Sequence, residues 1–181
     1  MELALEYSGP VARQATAADS RSARRRFEDL LDRHHSMLRR VAAGVLSRPD
    51  SVDDVLQEAY LKAYRKLPAR FESEAHEAAW IYRVVYNCCL DELKRRRRRE
   101  EVQLDVDAAP AAEHDPVDPL AVQTALRSLS PQDRAVLYLV DLVGFDYDDA
   151  GSVLGIPRGT VASRLNAART RFRSAFGDRD E

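Results

Sequence analysis

The chain has 181 residues and a formal net charge of −2, so it can form one large domain or two small ones. The nearly neutral balance argues against a protein that coats nucleic acid indiscriminately. Residues 100–119 nevertheless contain seven acidic and no basic side chains. This stretch separates two segments with helical periodicity. It therefore predicts an all-α chain in which two small helical domains are joined by a flexible acidic linker, without any rigid contact between them.

The first 22 residues are predicted to be a flexible tail because they show no sustained apolar period. The opening sequence MELALEYSGP lacks an apolar core long enough for a signal peptide. No stretch of the chain approaches the roughly 18 apolar residues that a membrane helix needs. We therefore expect a soluble, cytoplasmic protein with no membrane insertion.

Three amphipathic helices are predicted in the first domain, residues 23–99, because apolar side chains recur there every three or four positions. The predicted helices run from Phe27 to Val45, from Val52 to Leu67 and from Ala78 to Arg99. Ser51 is expected to cap the second helix and Pro68 to end it. Residues 69–77 are predicted to form an acidic loop.

The exposed side of the second predicted helix carries Asp54, Gln57 and Glu58. Asp54 and Glu58 are one turn apart and share a face, with Gln57 beside them. Periodicity alone leaves two interpretations open. The face is either a solvated surface with acidic residues suited to a helix N-terminus, or a docking surface for a basic helical partner.

The third predicted helix ends in six consecutive cations, Lys94 to Arg99. Such a run is typical of a solvated tail or of a site for phosphates. The same helix carries Trp80, Tyr82, Tyr86 and Asn87. Aromatic rings next to cations suit unstacked bases, because rings stack on bases while cations hold the backbone. Packing in the core is the alternative role for the aromatic residues.

Cys88 and Cys89 are the only two cysteines of the chain. Neighbouring residues of a helix point about 100° apart, so a disulfide between them is not expected. The pair also lacks the spacing of zinc ligands, and no metal site is predicted. Packing of two small residues in a helix is favoured, and a redox-sensing role stays open.

The second domain, residues 120–176, is predicted to be helical and is followed by a short tail, 177–181. Within it, a helix from Asp148 to Leu154 is followed by Gly155 and then by a basic helix. Pro157 suits the first position of that helix. One face is apolar, and it consists of Val161, Leu165, Ala168 and Phe172. This pattern predicts a helix-turn-helix whose second helix enters a DNA major groove, rather than a helical hairpin with a solvated basic face.

Three motifs occur in the same order and with the same spacing as in one known family. They are SVDDVLQEAYLKAYRKL, AAWIYRVVYNCCLDELKRRRR and ALRSLSPQDRAVLYLVDLVGFDYDDAGSVLGIPRGTVASRLNAARTRFR. With these motifs, residues 27–176 resemble a bacterial RNA polymerase sigma factor of the extracytoplasmic-function type. The resemblance implies a subunit that binds core polymerase and directs promoter recognition, promoter opening and initiation at a particular regulon.

The resemblance also implies roles for individual residues. Asp54, Gln57 and Glu58 would dock on the clamp helices of the largest polymerase subunit. The C-terminal domain would contact the flap, and the acidic linker would occupy the channel that nascent RNA later fills. The minus-ten element would be bound by Phe71, His76, Trp80, Tyr86, Asn87, Lys94, Arg95 and Arg96. The minus-thirty-five element would be bound by Arg158, Thr160, Ser163, Arg164 and Arg169.

The chain departs from the family pattern in two places. Ala162 and Ala167 stand where other members often have a cation, which predicts an unusual or weaker upstream contact. The resemblance implies that the loop after Phe71 captures an extruded base. This loop contains Glu72, Glu74 and Glu77 around His76, a more acidic surface than phosphates favour. The family further implies an anti-sigma partner, no cofactor and no small-molecule substrate.

Two other classes of function are weighed against a sigma factor. A free-standing helix-turn-helix regulator would need a dimerisation helix or a ligand pocket, and residues 27–99 offer neither obviously. A metal-dependent nuclease could use Asp53, Asp54 and Glu58 as ligands. Those carboxylates lie on one helix, without a second acidic cluster or a nucleophile–base pair. The chain is therefore not expected to be an enzyme.

Overall fold

A computed structural model describes residues 17–47, 49–102 and 119–177. Within these ranges all regular structure is helical, which confirms the all-α prediction. Residues 1–16 of the predicted tail, the linker between 103 and 118, and residues 178–181 lie outside the described residues. None of the helices described has the length and apolarity needed to cross a membrane.

The N-terminal unit consists of α1 (Ala17–Leu46), α2 (Val52–Arg65) and α3 (Glu74–Val102), with a 3₁₀ turn before α2. Its helices bury the faces that periodicity predicts, including Leu38, Val45 and Ile81. α1 begins inside the segment that the sequence predicts to be a tail. Residues 17–26 lack an apolar period but contain alanines and arginines, which favour a helix without burial.

The serine that precedes α3 caps its helix, whereas the one that precedes α2 does not cap it as predicted. Ser51 stands at the N-cap of α2 but accepts no backbone hydrogen bond; its hydroxyl instead accepts one from Arg96. Ser73 accepts from the backbone N–H of His76 at 3.1 Å. α3 therefore starts at Glu74, and the second half of the predicted acidic loop is its first turn.

The C-terminal unit consists of four helices, with a π-helical segment (Tyr138–Val143) that continues the second of them. The helices are α4 (Pro119–Arg127), α5 (Pro131–Leu137), α6 (Tyr147–Leu154) and α7 (Arg158–Gly177). The Asp146 carboxylate caps α6 by accepting from the N–H groups of Asp148 and Asp149. Ser130 caps α5 in the same way through the N–H of Asp133.

α6 and α7 form the predicted helix-turn-helix, and two glycines fix the turn. Gly155 has a φ of +68°, a left-handed conformation that glycine adopts without strain. A Cβ on Gly151 would lie 2.7 Å from the carbonyl oxygen of Ile156, so only glycine allows the two helices to approach this closely. Val161, Leu165 and Ala168 then bury the apolar face of α7.

The two units pack against each other, in contrast to the two domains without rigid contact that the sequence predicts. α3 lies against α6, and α1 lies against α5 and the π-helical segment. One apolar core includes residues of both units. The reason is a second buried face on α3, formed by Tyr82, Tyr86 and Cys89, which a search for one apolar stripe per helix does not find.

Candidate nucleic-acid and protein interfaces

The acidic surface of α2 holds the three residues predicted to bind the polymerase. Asp54 and Gln57 are exposed, and neither has a side-chain partner among the described residues. Glu58 accepts from Lys62 at 2.7 Å and from Arg95 of α3 at 2.9 Å. These two hydrogen bonds lower the pKa of Glu58, so its carboxylate is charged but already neutralised within the chain. Asp54 is the carboxylate that is available to a partner.

An open groove of about 700 Å³ adjoins Asp54 and Gln57 on the side of α1. Its apolar walls include Leu61 and Tyr64, which are 55% and 42% exposed. Tyr60 forms the floor, where its hydroxyl is 2.9 Å from Nδ1 of His35 and burial raises its pKa to about 12. Sequence reasoning missed Leu61 and Tyr64, although large apolar residues outside the predicted core face are a usable signal.

The residues predicted to bind the minus-ten element separate into two groups, and the first forms a stripe along α3 in which Asn87 and Lys94 are exposed and Trp80 is half-buried. Trp80, Asn87 and Lys94 follow each other at steps of seven, so they lie within about 40° of one another around the helix. The ring of Phe71 packs 5.4 Å from that of Trp80, and the ring of His76 lies 6.1 Å from Phe71. Phe71, His76, Trp80, Asn87 and Lys94 thus form one continuous surface, which we call the α3 stripe.

Tyr86, Arg95 and Arg96 lie away from the α3 stripe. Tyr86 is only 5% exposed, and burial between the two units raises its pKa. Arg95 donates to Glu58 and Glu92, and Arg96 donates to Glu92 and to Ser51. The two arginines therefore join the C-terminal part of α3 to α2, instead of extending the stripe.

The residues predicted to read the upstream element lie on α7. Arg158 pairs with Asp148 at 2.7 Å and lies over the ring of Tyr147. Ser163 is exposed and donates to the carbonyl oxygen of Thr160. Arg164 is half-buried, and its charge partly offsets the rise that burial causes in the pKa of Tyr86.

Arg169 lies on a different side of α7. It is five residues from Arg164, which places the two side chains about 140° apart around the helix. Both Nε and Nη2 of Arg169 donate to the carboxylate of Asp141 in the π-helical segment. This two-point contact holds α7 against its own unit, so Arg164 and Arg169 do not point into one groove.

The C-terminal unit has an apolar groove of about 460 Å³ that the sequence analysis does not identify. Its walls are formed by Leu126, Leu137, Tyr138, Leu142 and Phe172, from three helical segments and α7. Leu142 is 40% exposed at its rim. The groove arises where the π-helical segment widens the helical turn. No sequence pattern predicts such a segment.

The acidic residues of α2 do not surround a metal position. Asp53 pairs with Arg39, and Glu58 pairs with Lys62 and Arg95. In the part of the chain that the structure describes, no group of three or more His, Cys, Asp or Glu side chains could hold an ion. The arrangement is that of ion pairs within α2 and between α2 and its neighbouring helices.

Cys88 and Cys89 are both buried as free thiols. Burial raises the pKa of Cys88 and raises that of Cys89 to about 12. A thiol reacts as its thiolate, so both side chains are poor nucleophiles in the folded protein. The pair packs on two sides of α3, and the packing role favoured from the sequence accounts for both residues.

Two family models match the sequence, one in each unit. The model described as Sigma-70 region 2 covers residues 30–99, and the model described as Sigma-70, region 4 covers residues 120–172. The chain is 35% identical over 153 residues to the ECF RNA polymerase sigma factor SigM of Mycobacterium tuberculosis, an alignment that covers 83% of this chain and 77% of SigM. It is 30% identical over 160 residues to SigE of Mycolicibacterium smegmatis, covering 81% of this chain and 60% of SigE.

Two solved structures share the arrangement of both units. The sigma factor RpoE of Bartonella quintana, in complex with the anti-sigma factor NepR, matches with a TM-score of 0.70 and 25% identity over 87% of this chain and 99% of RpoE. CnrH in complex with the cytosolic domain of CnrY matches with a TM-score of 0.63 and 26% identity, covering 90% of this chain and 96% of the other.

Proposed function

This chain belongs to the extracytoplasmic-function sigma factors of the sigma-70 family, and we propose that α2, the α3 stripe and α7 each perform one step of transcription initiation. As a sigma factor it binds RNA polymerase core enzyme and directs promoter-specific initiation of transcription. The observation that carries the proposal is that one chain presents an acidic helix face, an aromatic and amide stripe and a helix-turn-helix.

The N-terminal unit, residues 23–99, is proposed to bind core polymerase through Asp54, Gln57 and Glu58. Asp54 supplies the charge for the clamp helices, because Glu58 already has two cationic partners. Leu61 and Tyr64 next to these residues supply the apolar area that a stable contact needs.

The α3 stripe is proposed to hold the opened minus-ten strand. Extruding a base costs a few kcal/mol, and stacking on aromatic rings recovers part of that cost. Phe71 and Trp80 offer the rings, Asn87 offers an amide for a base edge, and Lys94 offers a charge for the backbone. Arg95 and Arg96 are proposed to support this face by joining the C-terminal part of α3 to α2. The linker 100–119 remains a proposed occupant of the RNA channel.

The C-terminal unit, residues 120–176, is proposed to bind the minus-thirty-five element through Arg158, Thr160, Ser163 and Arg164. Arg169 is proposed to brace α7 through Asp141 and not to read bases. The apolar groove beside Leu142 suits an amphipathic helix, and we assign it to the polymerase flap.

RpoE was solved in complex with the anti-sigma factor NepR, and CnrH in complex with the cytosolic domain of CnrY. We propose an anti-sigma partner for this protein as well. The interface between the two units is already filled by Tyr82, Phe145 and Tyr138. A partner that clamps the outer surfaces therefore fits better than one that wedges between the units. Since the family consists of non-catalytic initiation factors, we further propose that this chain has no enzymatic activity of its own and works in the cytoplasm, where core polymerase is found.

Transcription in vitro tests this proposal. Core polymerase of the source organism with the purified chain should initiate from a subset of fragments of a genomic library, and mapping of the start sites should show shared upstream and minus-ten elements. Core polymerase alone is the control. Absence of initiation from every fragment would contradict the proposal.

Replacing Arg164 should weaken binding to the upstream element, whereas replacing Arg169 should not. We expect Arg164→Ala to lose about 1–3 kcal/mol at a base contact, or about one unit of salt slope at a phosphate. Arg169→Ala removes an exposed ion pair worth about 1 kcal/mol or less of stability. Binding of holoenzyme to upstream-element DNA at several salt concentrations measures both. Equal loss in the two variants would refute the assignment.

A further inference from the structure

The first turns of α1 extend beyond the end of α2. The two helices run antiparallel, because Arg39 pairs with the first turn of α2, whereas the ring of Phe27 packs on that of Tyr64 near the end of α2, at a centroid distance of 5.4 Å. α1 begins at Ala17, so about 15 Å of helix lies N-terminal to the contact of Phe27. This part of α1 precedes residues 30–99, the range that the Sigma-70 region 2 model covers.

These first turns lie against the loop that joins α2 to α3. Arg26 donates through Nη2 to the carbonyl oxygen of Pro68 in this loop. The loop then continues through Arg70 to Phe71, whose ring packs on Trp80 at the beginning of the α3 stripe. The start of α1, the loop and the beginning of the α3 stripe are therefore together at one end of the N-terminal unit.

This end carries cations that no carboxylate neutralises among the described residues. Arg25, Lys66 and Arg70 are exposed, and none of them has a side-chain partner in the part of the chain that the structure describes. Lys62 and Arg95, farther along the unit, are instead paired with carboxylates. The C-terminus of α2 by itself favours a cation at Lys66, but it does not account for Arg25 or Arg70. We call Arg25, Lys66 and Arg70 the cationic end.

The charge of the loop changes sign at Phe71. Lys66 and Arg70 precede this residue, whereas Glu72 and Glu74 follow it, and all four charged side chains are exposed. When a base stacks on the ring of Phe71, the carboxylates repel the phosphates next to that base and the cations attract them. The backbone of a strand on the α3 stripe is therefore favoured on the side of the cationic end.

We propose that the cationic end binds the backbone of the opened strand where that strand passes Phe71 and leaves the α3 stripe. The inference rests on the proposed role of the α3 stripe and extends it to the first turns of α1. The ligand is a short run of nucleic-acid phosphates, bound without regard to base sequence, because the cationic end offers charges and no aromatic ring.

Single-stranded oligonucleotides with the non-template sequence of a promoter mapped by transcription test the proposal. One ends at the minus-ten element, and two others continue on one side or the other for about six nucleotides, within the length that a single-strand site covers. Wild-type holoenzyme should bind one of the two longer strands more tightly than the short strand and with a steeper salt dependence. Uncharged methylphosphonate linkages in that extension should abolish the gain, and a changed base sequence should not.

Two variants assign the gain to the cationic end. Arg25→Gln and Arg70→Gln should each lower the salt slope for the longer strand by about 0.7, which corresponds to about fivefold weaker binding at about 0.1 M salt. Arg70→Lys keeps the charge and should keep the slope. Arg40→Gln is the matched control, because it removes an exposed arginine from the other end of α1, also without a side-chain partner among the described residues.

Three results would overturn the proposal. Neither longer strand might bind more tightly than the short one, the slopes of Arg25→Gln and Arg70→Gln might equal that of Arg40→Gln, or the two variants might compete less well for core enzyme, which would make the cationic end a protein contact. Circular dichroism should show wild-type helical content for all variants, because each replaces an exposed side chain. Binding of wild-type holoenzyme to the short strand tests the α3 stripe separately, so failure of the proposed function is distinguished from failure of this inference.

Discussion

Charge reversal at Asp54 is expected to abolish stable association with core polymerase. Asp54 is exposed and has no partner among the described residues, so Asp54→Lys removes no internal contact. At a contact with basic clamp helices it replaces attraction by repulsion. Like charges across an interface cost several kcal/mol, which corresponds to an affinity at least about 100-fold weaker. Competition of the variant with labelled wild-type chain for core enzyme measures the loss.

Two comparisons make this experiment specific. Asp32→Lys makes the same change of charge at an exposed position of α1 and should bind core enzyme normally. Glu58→Gln should have a smaller effect than Asp54→Lys, because Lys62 and Arg95 already neutralise the Glu58 carboxylate. If Asp54→Lys competed for core enzyme as well as the wild type does, the acidic face of α2 would not be a polymerase contact.

The prediction for α2 could be made from the sequence, because it depends on which residues face outward from a single helix. Periodicity places Asp54 and Gln57 on the exposed side, and the structure agrees. The pairing of Glu58 with Arg95 could not be predicted in this way, since it joins residues that are 37 positions apart. Pairs between helices depend on how the helices cross, and the pattern of one helix carries no information about that.

The sequence predicts a DNA contact for Tyr86 because the pattern of one helix does not show what packs against it. An aromatic residue beside Asn87 and a run of cations fits a base-binding helix, and nothing in the sequence distinguishes it from Trp80. The structure separates them: Trp80 is on the α3 stripe, while Tyr86 is under the C-terminal unit. Contact between the units is set by shape at sites such as Gly44 and Tyr138, so it has no periodic signal.

The groove beside Leu142 and the brace from Arg169 to Asp141 share one origin. Both depend on the π-helical segment, which shifts Asp141 and Leu142 relative to a regular α-helix. Composition and spacing predict a helix there, but not the one-residue change of register that such a segment introduces. The contact between Arg169 and Asp141 thus depends on local backbone geometry, which a helical-wheel projection of the sequence does not show.

Replacing Trp80 should slow promoter opening far more than it weakens binding to duplex DNA. A base stacked on an aromatic ring contributes about 1–3 kcal/mol, so Trp80→Ala should slow opening about tenfold to a hundredfold. The permanganate reactivity of minus-ten thymines over time measures promoter opening. Binding of the same holoenzyme to DNA with the upstream element measures the affinity for duplex DNA. Asn87→Ala should act in the same direction without loss of stability, because Asn87 is exposed and has no side-chain partner in the described ranges.

The choice of variants separates stacking from folding at this position. Trp80 packs on Phe71 at 5.4 Å, so Trp80→Ala also leaves a gap in the N-terminal unit. Trp80→Phe keeps a ring both for Phe71 and for a base, and it should retain most of the opening rate. If Trp80→Phe and Trp80→Ala were equally slow while Asn87→Ala opened promoters normally, the α3 stripe would be a packing surface and not the site that receives the strand. A graded series, with Phe near the wild type and Ala far below it, supports a role of the ring in the open complex when all three chains bind duplex DNA equally and Asn87→Ala is also slow.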